Sequence, residues 1–85
     1  MSYWLYVLRS HKDGKTYTGS TGNLKSRLQE HFAGKVKSTR NRRPLELVLA
    51  ERFQSRHEAV ARERYFKTAE GGVEKQRLIR VAVGV

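Results

Sequence analysis

Residues 3–20 contain two strand-like segments joined by a short polar turn, and this pattern restricts the fold more than any other part of the chain. Residues 3–9 and 16–20 are rich in the aromatic and β-branched residues that favour strands. Between them stands Asp13-Gly14, a dipeptide typical of tight hairpin turns. The sequence therefore predicts a β-hairpin. Alternation puts Trp4, Tyr6 and Leu8 on one face of the first strand, and Leu5 and Val7 on the other.

A helix is predicted to follow the hairpin. Asn23 is a good N-cap, and Gly34 is a typical C-terminal stop. The apolar face repeats at four-residue spacing as Leu24, Leu28 and Phe32. Arg27 and His31 are also four residues apart and fall beside this face. We expect both side chains to point along the edge of the helix–sheet interface rather than into open water.

A third strand and a second helix come next. Leucine alternates with other residues over 45–50, which predicts a strand that joins the hairpin and turns its leucines toward the helices. Ser55 and Glu58 form a capping box, so a second helix should begin at Arg56. Gly71-Gly72 should end that helix.

The last segment, residues 73–83, has Leu78, Ile79 and Ala82 available for packing and predicts a third amphipathic helix. The expected order is β-β-α-β-α-α. This order describes an α/β (α+β) fold, in which a three-stranded antiparallel sheet has flanking helices. Eighty-five residues suffice for one small domain, so we expect a single domain over residues 1–85.

Charge is the most informative part of the composition. Eighteen Lys and Arg against eight acidic residues give a net charge of +10, which is typical of a nucleic-acid-binding protein. The chain has no cysteine, which excludes disulfides and thiolate zinc sites and suits a reducing cytoplasm. Its apolar runs are too short to span a membrane, and its N-terminus lacks the pattern of a signal peptide. We therefore expect a cytoplasmic protein.

Two features suggest where nucleic acid would bind. Gly19 interrupts the second strand, and a glycine there indicates that another backbone or a ligand comes close. The segment 35–43 carries five positive charges and no acid before Pro44. These side chains are candidate phosphate contacts, although a solvated basic loop is an alternative: Lys35, Lys37, Arg40, Arg42 and Arg43.

Glu63 is the carboxylate that stands out. It lies on the apolar face of the second helix, which is formed by Ala59, Val60 and Phe66. A glutamate in that position costs burial energy unless a cation or a metal ion pairs with it. Lys67, four residues further on, could pair with Glu63 or contact a phosphate.

Taken in order, these residues resemble the GIY-YIG nuclease domain. The resemblance rests on Leu5-Tyr6-Val7, Tyr17-Thr18-Gly19, Arg27, His31 and a Glu-Ala-x-x-x-Glu-x-x-x-Lys run that contains Glu63. It covers residues 3 to about 70 and is closest to the small stand-alone bacterial members. Two motif positions differ, because Leu5 replaces a glycine and Thr18 an isoleucine. The chain also lacks the asparagine that many members carry after the second helix.

The resemblance implies a phosphodiesterase with one divalent metal ion. Glu63 would hold Mg²⁺, with Mn²⁺ as a substitute, and Arg27 would steady the transition-state phosphate. A tyrosine, Tyr6 or Tyr17, would activate or position the water, and His31 would shuttle a proton. Physical chemistry agrees, since Mg²⁺ often needs only one or two protein carboxylates and a guanidinium suits a developing phosphorane charge.

We therefore expect a Mg²⁺-dependent endonuclease acting on nucleic acid, with DNA preferred and single-stranded or structured DNA favoured. A non-catalytic nucleic-acid-binding module and a ribosome-associated or protein-interaction domain are alternatives. We expect a monomer. It either recognises DNA structure or a short sequence context by itself, or a protein partner delivers it to its target. Base stacking on Trp4, Tyr3 or Tyr65 would favour single strands.

Overall fold

The structure is a computed structural model, and it describes residues 1–82. Its elements are strand β1 (Tyr3–Ser10), strand β2 (Thr16–Thr21), helix α1 (Leu24–Phe32), a 3₁₀ turn (Arg40–Arg42), strand β3 (Leu45–Phe53), helix α2 (Arg56–Phe66) and helix α3 (Ala69–Ala82). The order β-β-α-β-α-α and the antiparallel sheet are confirmed. The segment expected to be a basic loop contains the short 3₁₀ turn.

The sheet has the strand order β2-β1-β3, so the hairpin's first strand is central and β2 lies at an edge. β1 pairs antiparallel with both neighbours. In the β1–β2 register Leu5 faces Ser20 and Tyr6 faces Gly19. Because side chains alternate along a strand, these two pairs point to opposite faces of the sheet. Residues that lie next to Tyr6 and residues that lie next to Leu5 are therefore on different sides of the sheet.

The helices cover the two faces of the sheet. On one face Leu5 and Val7 join Phe66 of α2 and Ile79 of α3 in the hydrophobic core. On the other face Tyr6 contacts His31 of α1. The sheet is therefore enclosed between α1 and the α2–α3 pair, and β1 is buried on both sides.

Strand β3 departs from the predicted alternation. Its pairing with β1 shifts by one residue, because Val7 pairs with Leu49 and Leu8 pairs with Leu47. Val48 is the extra residue of this bulge and is buried in the core. The prediction that the β3 leucines all turn to one helix-facing side is thus wrong, since a bulge changes which residues face each layer. The strand also continues to Phe53 rather than ending near residue 50.

The junction between α2 and α3 also differs from the prediction. α2 ends at Phe66, and Gly71-Gly72 lie within the first turns of α3 instead of ending α2. A Cβ on Gly71 would overlap the carbonyl oxygen of Tyr65, so this glycine permits close packing of α3 against the end of α2. The predicted third helix begins four residues early, at Ala69, and Val83 lies outside the described residues.

Both predicted helix N-caps are confirmed. Asn23 accepts a hydrogen bond from the backbone N–H of Ser26 at 3.0 Å, and Ser55 accepts one from Glu58 at 3.2 Å. None of the helices within residues 1–82 is long and apolar enough to cross a membrane.

Helix α1 buries a face different from the predicted one. Phe32 is 46% exposed, whereas His31 is fully buried. Successive residues advance by 100°, so a four-residue repeat drifts, and Phe32 lies about 80° from Leu24. His31, seven residues from Leu24, is only about 20° away and takes the inward position. The prediction of Phe32 as a core residue is therefore wrong.

Candidate active site

A hydrogen-bonded chain of three buried side chains links β1, α1 and the segment after α1. The Tyr6 hydroxyl and Nε2 of His31 are 2.9 Å apart, and Nδ1 of His31 is 2.8 Å from Oγ1 of Thr39. Thr39 and His31 have no solvent exposure, and Tyr6 has 1%. Both ring nitrogens of His31 are therefore engaged, and the imidazole is fixed between the phenol and the threonine.

Electrostatics keep both members of the Tyr6–His31 pair uncharged near neutral pH. Burial lowers the pKa of His31 below its ordinary value, and the positive charge of Arg27 lowers it further. Burial also raises the pKa of the Tyr6 phenol, although the neighbouring Arg27 guanidinium acts in the opposite direction. A neutral imidazole beside a neutral phenol can accept the phenol's proton.

Tyr17 completes this cluster from β2. Its ring centroid is 5.2 Å from that of His31 and 6.3 Å from that of Tyr6. Gly19, two residues on, explains how Tyr6 reaches the edge of the sheet. A Cβ on Gly19 would lie 2.6 Å from the Tyr6 hydroxyl, so the ring crosses β2 only because residue 19 has no side chain. The close approach predicted at Gly19 is made by Tyr6.

Arg27 lies at the end of this cluster and lines a cleft of about 370 Å³. The cleft runs between the edge of the sheet, the start of α1 and the start of α2, and its lining includes Tyr3, Ser20 and Arg56. Arg27 forms an ion pair with Glu30 at 3.2 Å, but 36% of its side chain remains exposed. As expected, Arg27 lies at the edge of the interface, with a second guanidinium, Arg56, across the cleft.

Glu63 approaches from the other face of the sheet. Its Oε1 accepts a 2.7 Å hydrogen bond from the Ser20 hydroxyl, and its Oε2 accepts a 2.9 Å bond from Lys67. The side chain of Glu63 is 23% exposed. Glu63 therefore forms the ion pair with Lys67 that the sequence allowed, and the Ser20 hydroxyl is its second hydrogen-bond partner.

The candidate site thus has two halves that meet at β2. Tyr6, Tyr17, Arg27 and His31 belong to the half on the α1 side. Glu63 and Ser20 belong to the half on the α2 side. The two halves interact electrostatically, because the negative charge of Glu63 contributes to the raised pKa of the Tyr6 phenol. The structure brings together all five residues that the resemblance implies for catalysis and metal binding.

The donors at Glu63 are compatible with a hard divalent cation. Within residues 1–82 no three His, Cys, Asp or Glu side chains cluster as a closed metal site would require. Mg²⁺, however, is usually held by one or two carboxylates, with water and substrate phosphate as the other ligands. Glu63 offers a partly exposed carboxylate, so the residues present fit an ion of this kind.

The predicted phosphate contacts of the basic segment have different surroundings. Arg42 pairs with Asp13 at 3.3 Å and is partly buried. Nε of Arg43 donates to the Arg40 carbonyl oxygen at 3.1 Å. Lys35, Lys37, Arg40 and Arg43 are exposed. The segment is anchored by Thr39 at His31 and by the Ser10 hydroxyl, which donates to the Arg42 carbonyl oxygen at 2.6 Å.

Sequence reasoning missed four residues around the site. Ser20 could have been found from strand alternation, since it shares a face with Leu5. Thr39 lies in a segment without periodicity, which gives no such signal. Arg56 was noted only as the start of α2. Lys75 of α3 donates to the Thr16 hydroxyl at 3.1 Å, and burial together with Lys67 lowers its pKa.

The chain matches a known family and known proteins over most of its length. The family model of the GIY-YIG catalytic domain matches residues 2–76. A UPF0213 protein of Natronomonas pharaonis is 42% identical over 83 residues, which cover 96% of this chain and 95% of that protein. A UPF0213 protein of Staphylococcus haemolyticus is 43% identical over 67 residues, which cover 78% of this chain and 80% of that protein.

A solved structure supports the same relationship. The solution NMR structure of a UPF0213 protein from Bacillus halodurans matches this fold with a TM-score of 0.57 and 34% sequence identity. The match covers 95% of this chain and 85% of that one.

The α+β fold and the match to the family model define a domain of the nuclease type. The chain belongs to the GIY-YIG family, and the three relatives described above are UPF0213 proteins. The predicted resemblance is confirmed. Membership indicates an endonuclease-type hydrolase with a nucleic-acid substrate, and GIY-YIG nucleases generally use a divalent metal ion.

Proposed function

We propose that this protein is a Mg²⁺-dependent endonuclease that hydrolyses phosphodiester bonds in DNA, with single-stranded or structured DNA favoured. One observation carries the proposal: the Tyr6–His31 pair and the Glu63 carboxylate meet at the edge strand β2 beside Arg27. A proton acceptor, a metal-binding carboxylate and a guanidinium are the groups that phosphodiester hydrolysis needs.

In the proposed reaction, the Tyr6–His31 pair activates the water. The attacking water gives a proton to the Tyr6 oxygen, and Tyr6 passes its own proton to Nε2 of His31. This relay uses the tautomer in which Nδ1–H donates to Thr39. The water oxygen then bonds to phosphorus, the opposite P–O bond breaks, and the leaving oxygen takes up a proton from solvent water. The relay avoids a free phenolate, which the raised pKa of Tyr6 disfavours.

Positive side chains stabilise the phosphate during this step. Arg27 has a partly exposed guanidinium beside the Tyr6 phenol, and Arg56 lines the same cleft. Five fixed donors on a guanidinium suit the additional negative charge that forms on the phosphate oxygens. Tyr17 packs on His31, and we propose that it positions the imidazole and the water.

Glu63 would hold the metal ion, with Mn²⁺ as a substitute for Mg²⁺. The bound ion would act as a Lewis acid on the scissile phosphate. Ser20 holds one carboxylate oxygen, and Lys67 must leave the other. An exposed ion pair of this kind is weak, so its displacement costs about 1 kcal/mol or less.

We propose that the exposed cations Lys35, Lys37, Arg40 and Arg43 contact substrate phosphates, together with Lys67 once it is displaced. Arg42, also predicted to do so, is held by Asp13 and contributes less. We also propose that the backbone at Gly19 contacts the substrate. We further propose a cytoplasmic monomer that forms one domain over residues 1–85. It either recognises DNA structure or short sequence context by itself, or a protein partner delivers it to its target. Sedimentation velocity of the purified chain tests the monomer.

The decisive experiment compares wild type with Glu63→Gln on labelled single-stranded DNA, duplex DNA, branched DNA and RNA in Mg²⁺. Glu63→Gln keeps the shape of the side chain but removes the charge that holds the ion. We expect it to abolish cleavage and retain salt-sensitive binding. The matched control is Glu70→Gln, an exposed glutamate in the first turn of α3, which should cleave like wild type.

A non-catalytic nucleic-acid-binding module is the second candidate. The Lys67–Glu63 ion pair favours this module, because Lys67 neutralises the carboxylate that would otherwise hold a metal ion. If wild type binds DNA in Mg²⁺ or Mn²⁺ but leaves every substrate intact, the endonuclease proposal is wrong and this module is the better assignment.

A further inference from the structure

The largest exposed aromatic surface on α1 is separate from the candidate active site. Phe32, the last residue of the helix, is 46% exposed and lines a second cleft of about 620 Å³. Pro44 and Leu45 supply further apolar surface in the same cleft. A flat hydrophobic ligand would therefore find an aromatic ring and aliphatic groups here.

The rest of the cleft is strongly cationic. Lys12, Arg40 and Arg43 line it, and all three residues are exposed. In the part of the chain that the structure describes, none of these three side chains forms an ion pair with an acid. Neighbouring Arg42, in contrast, is paired with Asp13. The positive charge beside Phe32 is thus available to an anion.

Local hydrogen bonds hold two of these cations, Lys12 and Arg43, in place. Nζ of Lys12 donates to the Asn41 carbonyl oxygen at 3.1 Å, which draws the hairpin turn toward the 3₁₀ turn. Nε of Arg43 donates to the Arg40 carbonyl oxygen at 3.1 Å, and this leaves its terminal nitrogens for other contacts. A preorganised arrangement loses less conformational entropy when a ligand binds.

A ligand that combines a flat apolar surface with adjacent negative charge is an unpaired nucleotide. Bases stack on exposed aromatic rings, and the backbone phosphates pair with Lys and Arg. A base in a regular duplex already stacks on its neighbours and cannot offer its face. The same chemistry therefore favours a single strand over a duplex.

We propose that Phe32, Lys12, Arg40 and Arg43 form a binding site for an unpaired base of single-stranded DNA and its flanking phosphates. The choice of DNA as ligand rests on the proposed function. Phe32 lies five residues beyond Arg27 on the same helix, about 7.5 Å further along its axis. The two residues lie about 140° apart around the helix axis, so a strand that contacts both this site and the cleft at Arg27 must pass around α1.

The sequence had favoured Tyr3, Trp4 and Tyr65 for stacking. All three are only partly exposed, and the hydroxyl of Tyr65 donates to Glu74 at 2.8 Å. Phe32 is more accessible and is surrounded by cations, so we assign the stacking role to it.

The test is a binding measurement without metal ion, so that cleavage does not interfere. Fluorescence anisotropy would compare wild type and Phe32→Ala on oligo-dT, on a fully abasic strand of equal length, on a duplex and on oligo-U. We expect Phe32→Ala to weaken oligo-dT binding about tenfold and to change abasic and duplex binding less than about twofold. An equal loss on oligo-U would extend the ligand class to RNA.

Matched variants separate stacking from hydrophobicity and charge. Phe32→Tyr should bind oligo-dT like wild type, whereas Phe32→Leu should behave like Phe32→Ala because leucine offers no ring. Arg40→Ala should weaken oligo-dT and abasic binding alike and lower their salt dependence. The exposed Lys25 of α1 lies outside the cleft, so Lys25→Ala controls for the loss of one charge.

The outcomes distinguish this inference from the proposed function. If Phe32→Ala binds oligo-dT as tightly as wild type, or loses affinity equally for the abasic strand, the stacking site is wrong even when wild type cleaves DNA. If Phe32→Ala loses oligo-dT binding selectively while wild type cleaves nothing, the stacking site stands and the endonuclease proposal is wrong.

Discussion

The Tyr6 hydroxyl lies 2.6 Å from the position that a Cβ would occupy on Gly19. The two residues face each other across the β1–β2 register, so the ring of Tyr6 crosses the neighbouring backbone to reach the sheet edge. A side chain on residue 19 would therefore displace the phenol that contacts His31.

Gly19→Ala should reduce cleavage by about 10²-fold, because a shift of about 1 Å in a reacting group is enough for such a loss. The overlap should also lower the free energy of unfolding by about 1–3 kcal/mol. Gly22→Ala is the matched control, since its Cβ would meet Tyr3 at an ordinary 3.5 Å. Steady-state cleavage and urea unfolding provide the two readouts, and equal cleavage by both variants would contradict the prediction.

The acid limb of the pH–rate profile should report His31. The imidazole can accept the Tyr6 proton only when neutral, and burial and Arg27 lower its pKa. We expect kcat/KM to stay high at neutral pH and to fall with a midpoint below the ordinary imidazole value of about 6.5. His31→Ala should cleave far more slowly and lack this limb. A wild-type midpoint above that value would contradict the proposed relay.

Protein stability should depend on pH through the same residue. Because the folded-state pKa of His31 is lowered, the unfolded chain binds more protons at acid pH. The free energy of unfolding should therefore decrease as the pH falls below about 6.5. Urea unfolding at pH 7.5 and at pH 5.5 measures this difference. His31→Gln should shrink it, whereas the exposed His57→Gln should leave it unchanged.

Lys67 should compete with the metal ion for Glu63. Its Nζ donates to Oε2 at 2.9 Å, while 58% of the lysine side chain is exposed. Lys67→Ala should lower the Mg²⁺ concentration that gives half-maximal cleavage and should change stability by less than about 1 kcal/mol. Lys25→Ala serves as the charge control. If Lys67→Ala needs as much Mg²⁺ as wild type or more, Glu63 does not hold the ion in the manner proposed.

Local patterns were sufficient to predict much of this fold. Strand propensity and Asp13-Gly14 located the hairpin, and the caps at Asn23 and Ser55 located two helix starts. Helical spacing also put Arg27 at the edge of the helix–sheet interface, although His31, predicted to lie beside it at that edge, is fully buried. These signals depend on residues close in sequence, where propensity and periodicity act directly.

Contacts between distant residues escaped prediction. The bulge puts Val48 in the core, and no local pattern in the sequence marks it. Glycines usually end helices, but Gly71 instead allows α3 to approach Tyr65. Ser20 and Glu63 are 43 residues apart, and their hydrogen bond exists only because β2 lies beneath α2. Phe32 was misassigned because a four-residue repeat drifts around a helix.

The division of the candidate site between the two faces of the sheet has a consequence for biogenesis. Tyr6 and His31 depend on the α1 layer, whereas Glu63 depends on the α2 layer. Under the proposed roles, a chain with only one of the two layers in place would position either the proton acceptor or the metal-binding carboxylate, but not both. Under the proposed function, hydrolysis would therefore require both layers to be folded at the same time.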